Sequence, residues 1–170
     1  FCSYSDNDYR RYIVEPGVKA MMALGLDPDR DVVADLLKAG SLYGGVNFFI
    51  SIFDAMHVRN LNISGLDDVR QVADFMIIGR ATAIMGAPSY IIRVFQENEE
   101  RLREYGRIRK IFYGGEMFSA GQVRWLEETF GIESIQSMLY GANETGTMGY
   151  CCGCCGRNEF HLNSEIQHLE

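Results

Sequence analysis

Two neighbouring groups of residues carry side chains suited to chemistry: Tyr140-Gly-Ala-Asn-Glu144, and then Cys151-Cys-Gly-Cys-Cys155 with His161. Tyr140 offers an aromatic face to a nucleotide base, and Glu144 offers the hard oxygen ligand that magnesium prefers. Thiolates and imidazole are good ligands for zinc. The pattern therefore predicts a site for ATP and magnesium beside a zinc site. A Tyr-Gly turn after a strand is also common without any ligand, so companion motifs must support this interpretation.

The cysteines favour a metal site over disulfides. Four of the five lie within five consecutive positions, whereas a disulfide framework would space an even number along the chain. This usage is typical of a reducing compartment, and we expect a cytoplasmic protein. A structural zinc ion takes four ligands, and spacing alone does not choose among the candidates or exclude a ligand beyond Glu170. The zinc candidates are Cys151, Cys152, Cys154, Cys155 and His161. The alternative is that the cysteines are small buried apolar residues.

A second loop whose residues could contact a ligand is Gly114-Gly-Glu116. Gly114 and Gly115 lack a Cβ atom, so their backbone can approach a planar base or sugar, and Glu116 places a carboxylate nearby. The alternative is an ordinary turn between a strand and a helix, because glycines mark turns generally.

Strand-like and helical patterns alternate along the chain. Strands are predicted over 32–37, 58–63, 82–85, 110–113 and 133–139, and helices over 5–24, 45–56, 68–78, 88–105 and 120–130. Ser119 with Gln122 forms a capping box for the last helix, Gly131 ends it, and Pro16 with Gly17 should interrupt the first. Ser64 with Asp67 is predicted to cap the helix over 68–78. This order predicts an α/β fold, a mostly parallel sheet with helices on both faces. The strand over 133–139 would deliver Tyr140 to the carboxyl edge, where such sheets bind ligands.

Composition narrows the classes of function. The chain has 170 residues, 47% of them hydrophobic, which suits one domain or a piece of one. The net charge of -7 argues against a nucleic-acid partner, which would need clustered Lys and Arg. No apolar run reaches the ~18 residues that suggest a transmembrane helix, so we expect no membrane partner.

Four short motifs in one order resemble the large N-terminal domain of the adenylate-forming enzymes, in the branch of phenylacetate–coenzyme A ligases. They are Leu42-Tyr-Gly-Gly45, Gly86-Ala-Pro-Ser-Tyr90, Gly114-Gly-Glu116 and Tyr140-Gly-x-x-Glu144. The resemblance covers nearly the whole chain. It implies that residues 1–170 are a partial AMP-binding domain, with the phosphate loop expected upstream and the mobile C-terminal domain downstream.

The resemblance also implies roles for single residues. It assigns nucleotide contacts to Gly114, Gly115, Glu116, Tyr140 and Gly141. It places Tyr43, Gly44, Gly45 and Tyr90 around the carboxylic acid substrate. It makes Glu144 the magnesium ligand and Asn143, where the family has Thr or Ser, a phosphate contact. Cys152, Cys154 and His161 reproduce a Cys-x-Cys then His arrangement of that branch, and Cys151 and Cys155 are additional candidates.

The implied reaction has two steps. A carboxylic acid, which we expect to be an aryl acid, attacks the α-phosphate of ATP to form an acyl-adenylate, and a thiol such as coenzyme A then takes the acyl group. Because the phosphate loop and the C-terminal domain are missing, we expect this chain alone to be inactive. One alternative is a zinc-stabilised interaction module without catalysis. Another is an acyl-protein synthetase or other adenylating enzyme on the same fold. The oligomeric state is left open, a homodimer included.

Overall fold

The computed structural model describes residues 5–38, 45–142, 146–156 and 159–164. Its main feature is a sheet of five parallel strands in the order β2-β1-β3-β4-β5. The strands are β1 (Val32–Asp35), β2 (Arg59–Asn62), β3 (Ala83–Gly86), β4 (Lys110–Tyr113) and β5 (Ser134–Ser137). The predicted α/β class with a mostly parallel sheet is therefore confirmed.

Helices cover both faces of this sheet. They are α1 (Asp6–Tyr9), α2 (Glu15–Ala23), α3 (Gly45–Met56), α4 (Val69–Ile78), α5 (Pro88–Glu97), α6 (Glu99–Tyr105) and α7 (Ala120–Phe130). Adjacent strand residues point to opposite faces, so Val33 packs in the core under α2 and α3, and Ala34 packs in the core under α4 to α7. In the part of the chain that the structure describes, no helix is both long and apolar enough to cross a bilayer.

Local signals fix several helix ends. Ser119 and Gln122 form the predicted capping box of α7, and Gly131 ends that helix with a left-handed φ of 67°. The helix α4 begins after Asp68, whose side chain accepts hydrogen bonds from two backbone N–H groups. The predicted pair of Ser64 and Asp67 therefore does not cap it. Serine and aspartate are both good N-cap residues, and here Asp68, which directly precedes the first turn, supplies the cap.

Two predicted helices are interrupted in ways that the chain explains. Between α1 and α2, Arg10–Val14 forms a π-helical segment, and Pro16, which cannot donate a hydrogen bond, follows in the first turn of α2. Between α5 and α6, the side chain of Asn98 donates to the carbonyl groups of Val69 and Val94. Its backbone leaves the helical region, so the predicted helix over 88–105 is two helices.

The predicted strand over 133–139 is also divided. Residue Met138 ends the pairing with β4 by donating its N–H to the Tyr113 carbonyl oxygen at 2.8 Å. The chain then enters a second, antiparallel sheet of three strands, β6 (Leu139–Ala142), β7 (Gly146–Tyr150) and β8 (His161–Leu162). The prediction of one strand over 133–139 was wrong, because these residues belong to two strands in different sheets. Both strands are extended, so the periodicity of the sequence does not show where the chain changes sheet.

A buried ion pair closes the amino edge of the main sheet. The Nζ atom of Lys110 lies 2.6 Å from Oδ2 of Asp31, which is 4% exposed, and also donates to the Gly25 carbonyl oxygen. Thr82 donates its hydroxyl to the other oxygen of Asp31 at 2.9 Å. This network ties β4 to the loop before β1 and to β3.

Replacing Lys110 with methionine is expected to lower the free energy of unfolding by about 1–3 kcal/mol, because it leaves a buried carboxylate without its cation. Chemical denaturation measures the change. The matched control is Arg30→Met, which removes a surface pair of 3.7 Å with a side chain that is 86% exposed. That variant should change stability by less than about 0.5 kcal/mol. Equal effects of the two variants would contradict a structural role for the buried pair.

Candidate functional site

Two glycine-containing loops lie side by side at the carboxyl edge of the main sheet. One follows β3 at Gly86 and the other follows β4 at Gly114, and the Gly114 N–H donates to the Gly86 carbonyl oxygen at 3.4 Å. Gly115 has a φ of 76°, a conformation that favours glycine, and a Cβ atom there would meet no heavy atom within 4 Å. The loop after β4 is therefore open to a ligand at Gly115.

Gly114 serves packing as well. A Cβ atom on Gly114 would lie 3.1 Å from the Cε atom of Met138, which is a tight contact. The missing side chain thus lets Met138 enter the core at the point where the chain leaves β5. The two positions therefore favour glycine for different reasons. Gly114 allows the close approach of Met138, and Gly115 adopts a left-handed backbone conformation.

The carboxylate of Glu116 joins the two loops. Its Oε2 accepts from the backbone N–H of Ser89 at 3.0 Å, and its Oε1 accepts from the Ser89 hydroxyl at 2.9 Å. Ser89 belongs to the motif at 86–90, so the structure brings two of the four sequence motifs into direct contact. No local sequence pattern predicts this pairing, because the residues are 27 positions apart.

Tyr90 is the last residue of the motif at 86–90. Its hydroxyl donates to the carbonyl oxygen of Leu66, and burial is the largest cause of the raised pKa of the phenol. The ring packs against the core under α4 to α7. Its predicted contact with the acid substrate stays a prediction, since the hydroxyl is engaged by the protein.

Tyr140 stands at the start of the second sheet. It is 53% exposed, and its ring centroid is 5.6 Å from that of Phe160. It lies two positions after Met138, which packs against Gly114. The exposed aromatic face is free to stack on a planar ligand. Gly141 follows at a register shift in the pairing of β6 with β7, and it is exposed.

Four predicted site residues lie outside the described residues: Tyr43, Gly44, Asn143 and Glu144. Gly45 is described as the first residue of α3. The predicted magnesium ligand, the phosphate contact and most of the acid pocket therefore stay predictions.

Three of the five zinc candidates converge. The Sγ atom of Cys152 lies 3.6 Å from the Sγ of Cys155 and 3.1 Å from Nε2 of His161, and these three ligand atoms all lie within 4.8 Å of one another. A tight turn explains this, because the Cys155 N–H donates to the Cys152 carbonyl oxygen and the Cys154 N–H donates to the Cys152 sulfur. The turn sends the exposed side chain of Cys154 away from the cluster.

Cys151 takes a separate place. It is 2% exposed and lies in the core under α2 and α3, where its thiol donates to Oε1 of Gln136 on β5 at 3.7 Å. Burial raises the pKa of the Cys151 thiol to about 11. The hydrogen bond from His161 lowers the pKa of the Cys152 thiol to about 6, helped by the Cys154 N–H. The lowered pKa favours the thiolate form of Cys152, which is the form that binds a metal ion.

Asp35 is a buried carboxylate that the sequence analysis missed. It ends β1, an interior strand of the main sheet, and is 0% exposed. Its Oδ1 accepts from the Leu37 N–H at 2.9 Å, and its Oδ2 has no hydrogen-bond partner among the described residues. Burial raises the pKa of this carboxyl to about 6. A lone aspartate inside the apolar run Val32–Leu37 was the available signal.

Comparison with known proteins rests on solved structures. The chain matches no protein-family profile and no curated protein sequence. It is similar to 2-hydroxyisobutyryl-CoA ligase in an open conformation with 2-HIB-AMP and CoA, with 22% identity and a TM-score of 0.66 over 79% of this chain. The chain shares the fold of the part of that ligase that it matches. It spans about 30% of that ligase's length.

Other solved structures share the same fold. Apo MatB from Rhodopseudomonas palustris has 18% identity and a TM-score of 0.63, covering 86% of this chain and 28% of its own. The luciferase-like enzyme of the nonluminescent mealworm Zophobas morio has 14% identity and a TM-score of 0.63, covering 82% of this chain and 31% of its own. At these identities the likeness establishes the fold.

Proposed function

We propose that the chain is part of an AMP-binding domain in a phenylacetate–coenzyme A ligase-like enzyme. This enzyme activates a carboxylic acid, an aryl acid in our proposal, as an acyl-adenylate and passes the acyl group to a thiol such as coenzyme A. The observation that carries the proposal is the contact between Ser89 and Glu116, which joins two sequence motifs at the carboxyl edge of a parallel sheet. The shared fold with a ligase that binds 2-HIB-AMP and CoA supports it.

The proposed nucleotide site uses the open edge beside this contact. The ring of Tyr140 stacks on the adenine base, and the backbone at Gly114, Gly115 and Gly141 approaches the nucleotide closely. Magnesium, when bound at Glu144, neutralises charge on the phosphates. Asn143 donates to a phosphate oxygen, and the chain's main contribution is to align the reacting groups. Tyr43, Gly44, Gly45 and Tyr90 line the acid pocket.

We also propose a structural zinc ion at Cys152, Cys155 and His161. Two thiols and an imidazole within 4.8 Å are a donor set that zinc prefers. A fourth ligand comes from Cys151 or from sequence beyond Glu170, because the exposed side chain of Cys154 lies outside the cluster. The ion would fix the turn at 152–155 against β8, which carries His161.

The full proposal includes the setting of the enzyme. We propose a cytoplasmic protein whose partners are small molecules, and residues 1–170 alone are expected to give no ATP–pyrophosphate exchange. Clear turnover by this chain would show that further segments are dispensable. Size-exclusion chromatography tests the homodimer that the sequence leaves open.

Nucleotide titration tests the site itself. Magnesium ATP is expected to bind the chain, and Tyr140→Ala should weaken binding about tenfold, since one base stacked on an aromatic ring contributes about 1–3 kcal/mol. Isothermal titration calorimetry gives both dissociation constants. Met117→Ala is the control, because Met117 is 63% exposed in the loop after β4 and lies outside the proposed contacts. Equal affinity of the Tyr140 variant and the wild-type chain would contradict stacking at this residue.

The thiol cluster favours a second candidate, a zinc-stabilised interaction module without catalysis. This candidate predicts bound metal and no affinity for ATP, so the same titration separates it from the ligase. An acyl-protein synthetase or another adenylating enzyme would share the nucleotide site. An acceptor assay on a longer protein, with coenzyme A and an acyl-carrier protein compared, separates these enzymes.

A further inference from the structure

The loop after β4 places its side chains in two directions. Gly115 and the 63% exposed side chain of Met117 face solvent. Phe118 turns inward, where its ring meets Tyr113 edge to face with centroids 5.0 Å apart. Glu116 reaches sideways to the loop after β3, and both of its oxygens are engaged there. Both oxygens of the Glu116 carboxylate therefore accept hydrogen bonds from within the protein.

The partner of Glu116 is the amino end of α5. The residue before the helix is Ala87, which has no side-chain hydrogen bond, and the first helical residue is Pro88, which has no N–H. Ser89 thus carries the first N–H of the helix that needs an acceptor. Glu116 supplies that acceptor from another loop, and its negative charge suits the positive end of the helix dipole.

Beyond the last pair of β3 with β4, at Gly86 and Tyr113, the backbone holds the two loops loosely. Their main-chain hydrogen bond, from Gly114 to Gly86, has a donor–acceptor distance of 3.4 Å, beyond the usual range for N–H···O bonds. The two bonds from Ser89 to Glu116 are 3.0 and 2.9 Å and involve a charged acceptor, so they are the stronger connection.

We infer that Glu116 is a positioning residue, which caps α5 and holds the Gly114-Gly115 turn in place, and that its carboxylate does not contact the nucleotide. The consequence for nucleotide binding rests on the proposed function. A carboxylate free at this edge would also repel the phosphates of ATP, and its engagement by Ser89 avoids this. The open backbone at Gly115 is left to meet the ligand.

A double-mutant cycle in urea unfolding tests the connection without any nucleotide. Ser89→Ala and Glu116→Ala should each lower stability, and the double variant should be no worse than Glu116→Ala alone. The coupling should be about fivefold in the unfolding equilibrium constant. Glu116→Ala combined with Asp68→Ala is the control, since Asp68 caps the separate helix α4 and the two changes should add. Additive effects of Ser89→Ala and Glu116→Ala would overturn the inference.

Calorimetry with magnesium ATP separates positioning from direct contact. Glu116→Ala should weaken binding about tenfold, which corresponds to about 1.4 kcal/mol. Glu116→Gln should restore affinity to within about twofold, because its amide can accept from the Ser89 N–H and donate to the Ser89 hydroxyl. A Gln variant as weak as the Ala variant would mean that the charge itself meets the ligand, which overturns the inference. If the wild-type chain binds no ATP, the proposed function fails, and the unfolding cycle still decides the role of Glu116.

Discussion

Replacing Cys152 with serine is expected to remove the proposed zinc ion and to produce the largest loss of stability among single changes at the thiol cluster. Cys152 contacts both other members of the cluster, at 3.6 Å from Cys155 and 3.1 Å from His161. Loss of an outer-shell partner already costs about 10–100-fold in metal affinity, so loss of a ligand should cost more than about 100-fold. Elemental analysis of the purified protein and chelator competition measure this.

The stability change follows from mass action. A zinc concentration of ~1,000 times the dissociation constant stabilises the folded state by about 4 kcal/mol, which is about 10 °C in melting temperature for a chain of this size. Chelation of the wild-type protein should produce the same loss, and the serine variant should not respond to chelator.

Cys154→Ser is the matched control for this result. Cys154 is a neighbouring cysteine, but its side chain is exposed and lies outside the cluster. It should keep the metal and the melting temperature of the wild-type chain. Loss of zinc from this variant would make Cys154 the fourth ligand, whereas retention of zinc by Cys152→Ser would contradict the site.

Replacing Asp35 with asparagine is expected to raise the free energy of unfolding by about 1–3 kcal/mol at pH 7.5. Asp35 is fully buried, one of its oxygens has no partner among the described residues, and burial raises its pKa from 3.8 to about 6. A pKa that is higher in the folded state means that the charged form destabilises the fold. A difference of about two pH units corresponds to about 3 kcal/mol as an upper bound.

The pH dependence of this effect has a definite sign. Above pH 6 the folded protein carries the full cost of the charged Asp35 carboxylate. Below pH 6 the folded state takes up a proton before the unfolded state does, so the cost falls as the pH approaches 4. The difference in unfolding free energy between Asp35→Asn and the wild type should therefore be largest near pH 7.5 and small near pH 4.

Asp31→Asn is the control for Asp35→Asn. Asp31 is also buried, yet it has Lys110 and Thr82 as partners, so asparagine there should destabilise the chain. Denaturant unfolding at pH 4, 5.5 and 7.5 gives both comparisons. A stability difference for Asp35→Asn that does not change with pH would rule out titration of Asp35 as its cause.

The sequence predicted those elements whose ends depend on residues close by in the chain. The helix α3 begins and ends as predicted, and α7 has its capping box and its terminal glycine within one segment. The division of the helix over 88–105 could not be predicted in this way. It depends on a bond from Asn98 to the Val69 carbonyl oxygen, 29 residues away, and no local pattern encodes that partner.

The candidate site shows the same limit. Residue type and spacing indicated a thiol site, but a single turn decided that Cys155 and not Cys154 joins Cys152. Glu116 was predicted from its motif, while its actual partner Ser89 comes from a different strand end. Asp35 was missed because its importance comes from burial, which a sequence of apolar neighbours only suggests.

The passage of the chain from one sheet to the other has a consequence for cooperativity. Among the described residues, the small sheet is joined to the large one by the chain at Met138 and by the thiol of Cys151, which donates to Gln136. Met138 and Cys151 are both buried in the core under α2 and α3, so separating the small sheet disturbs that core. Melting of the small sheet should therefore coincide with global unfolding, as one transition seen by every probe.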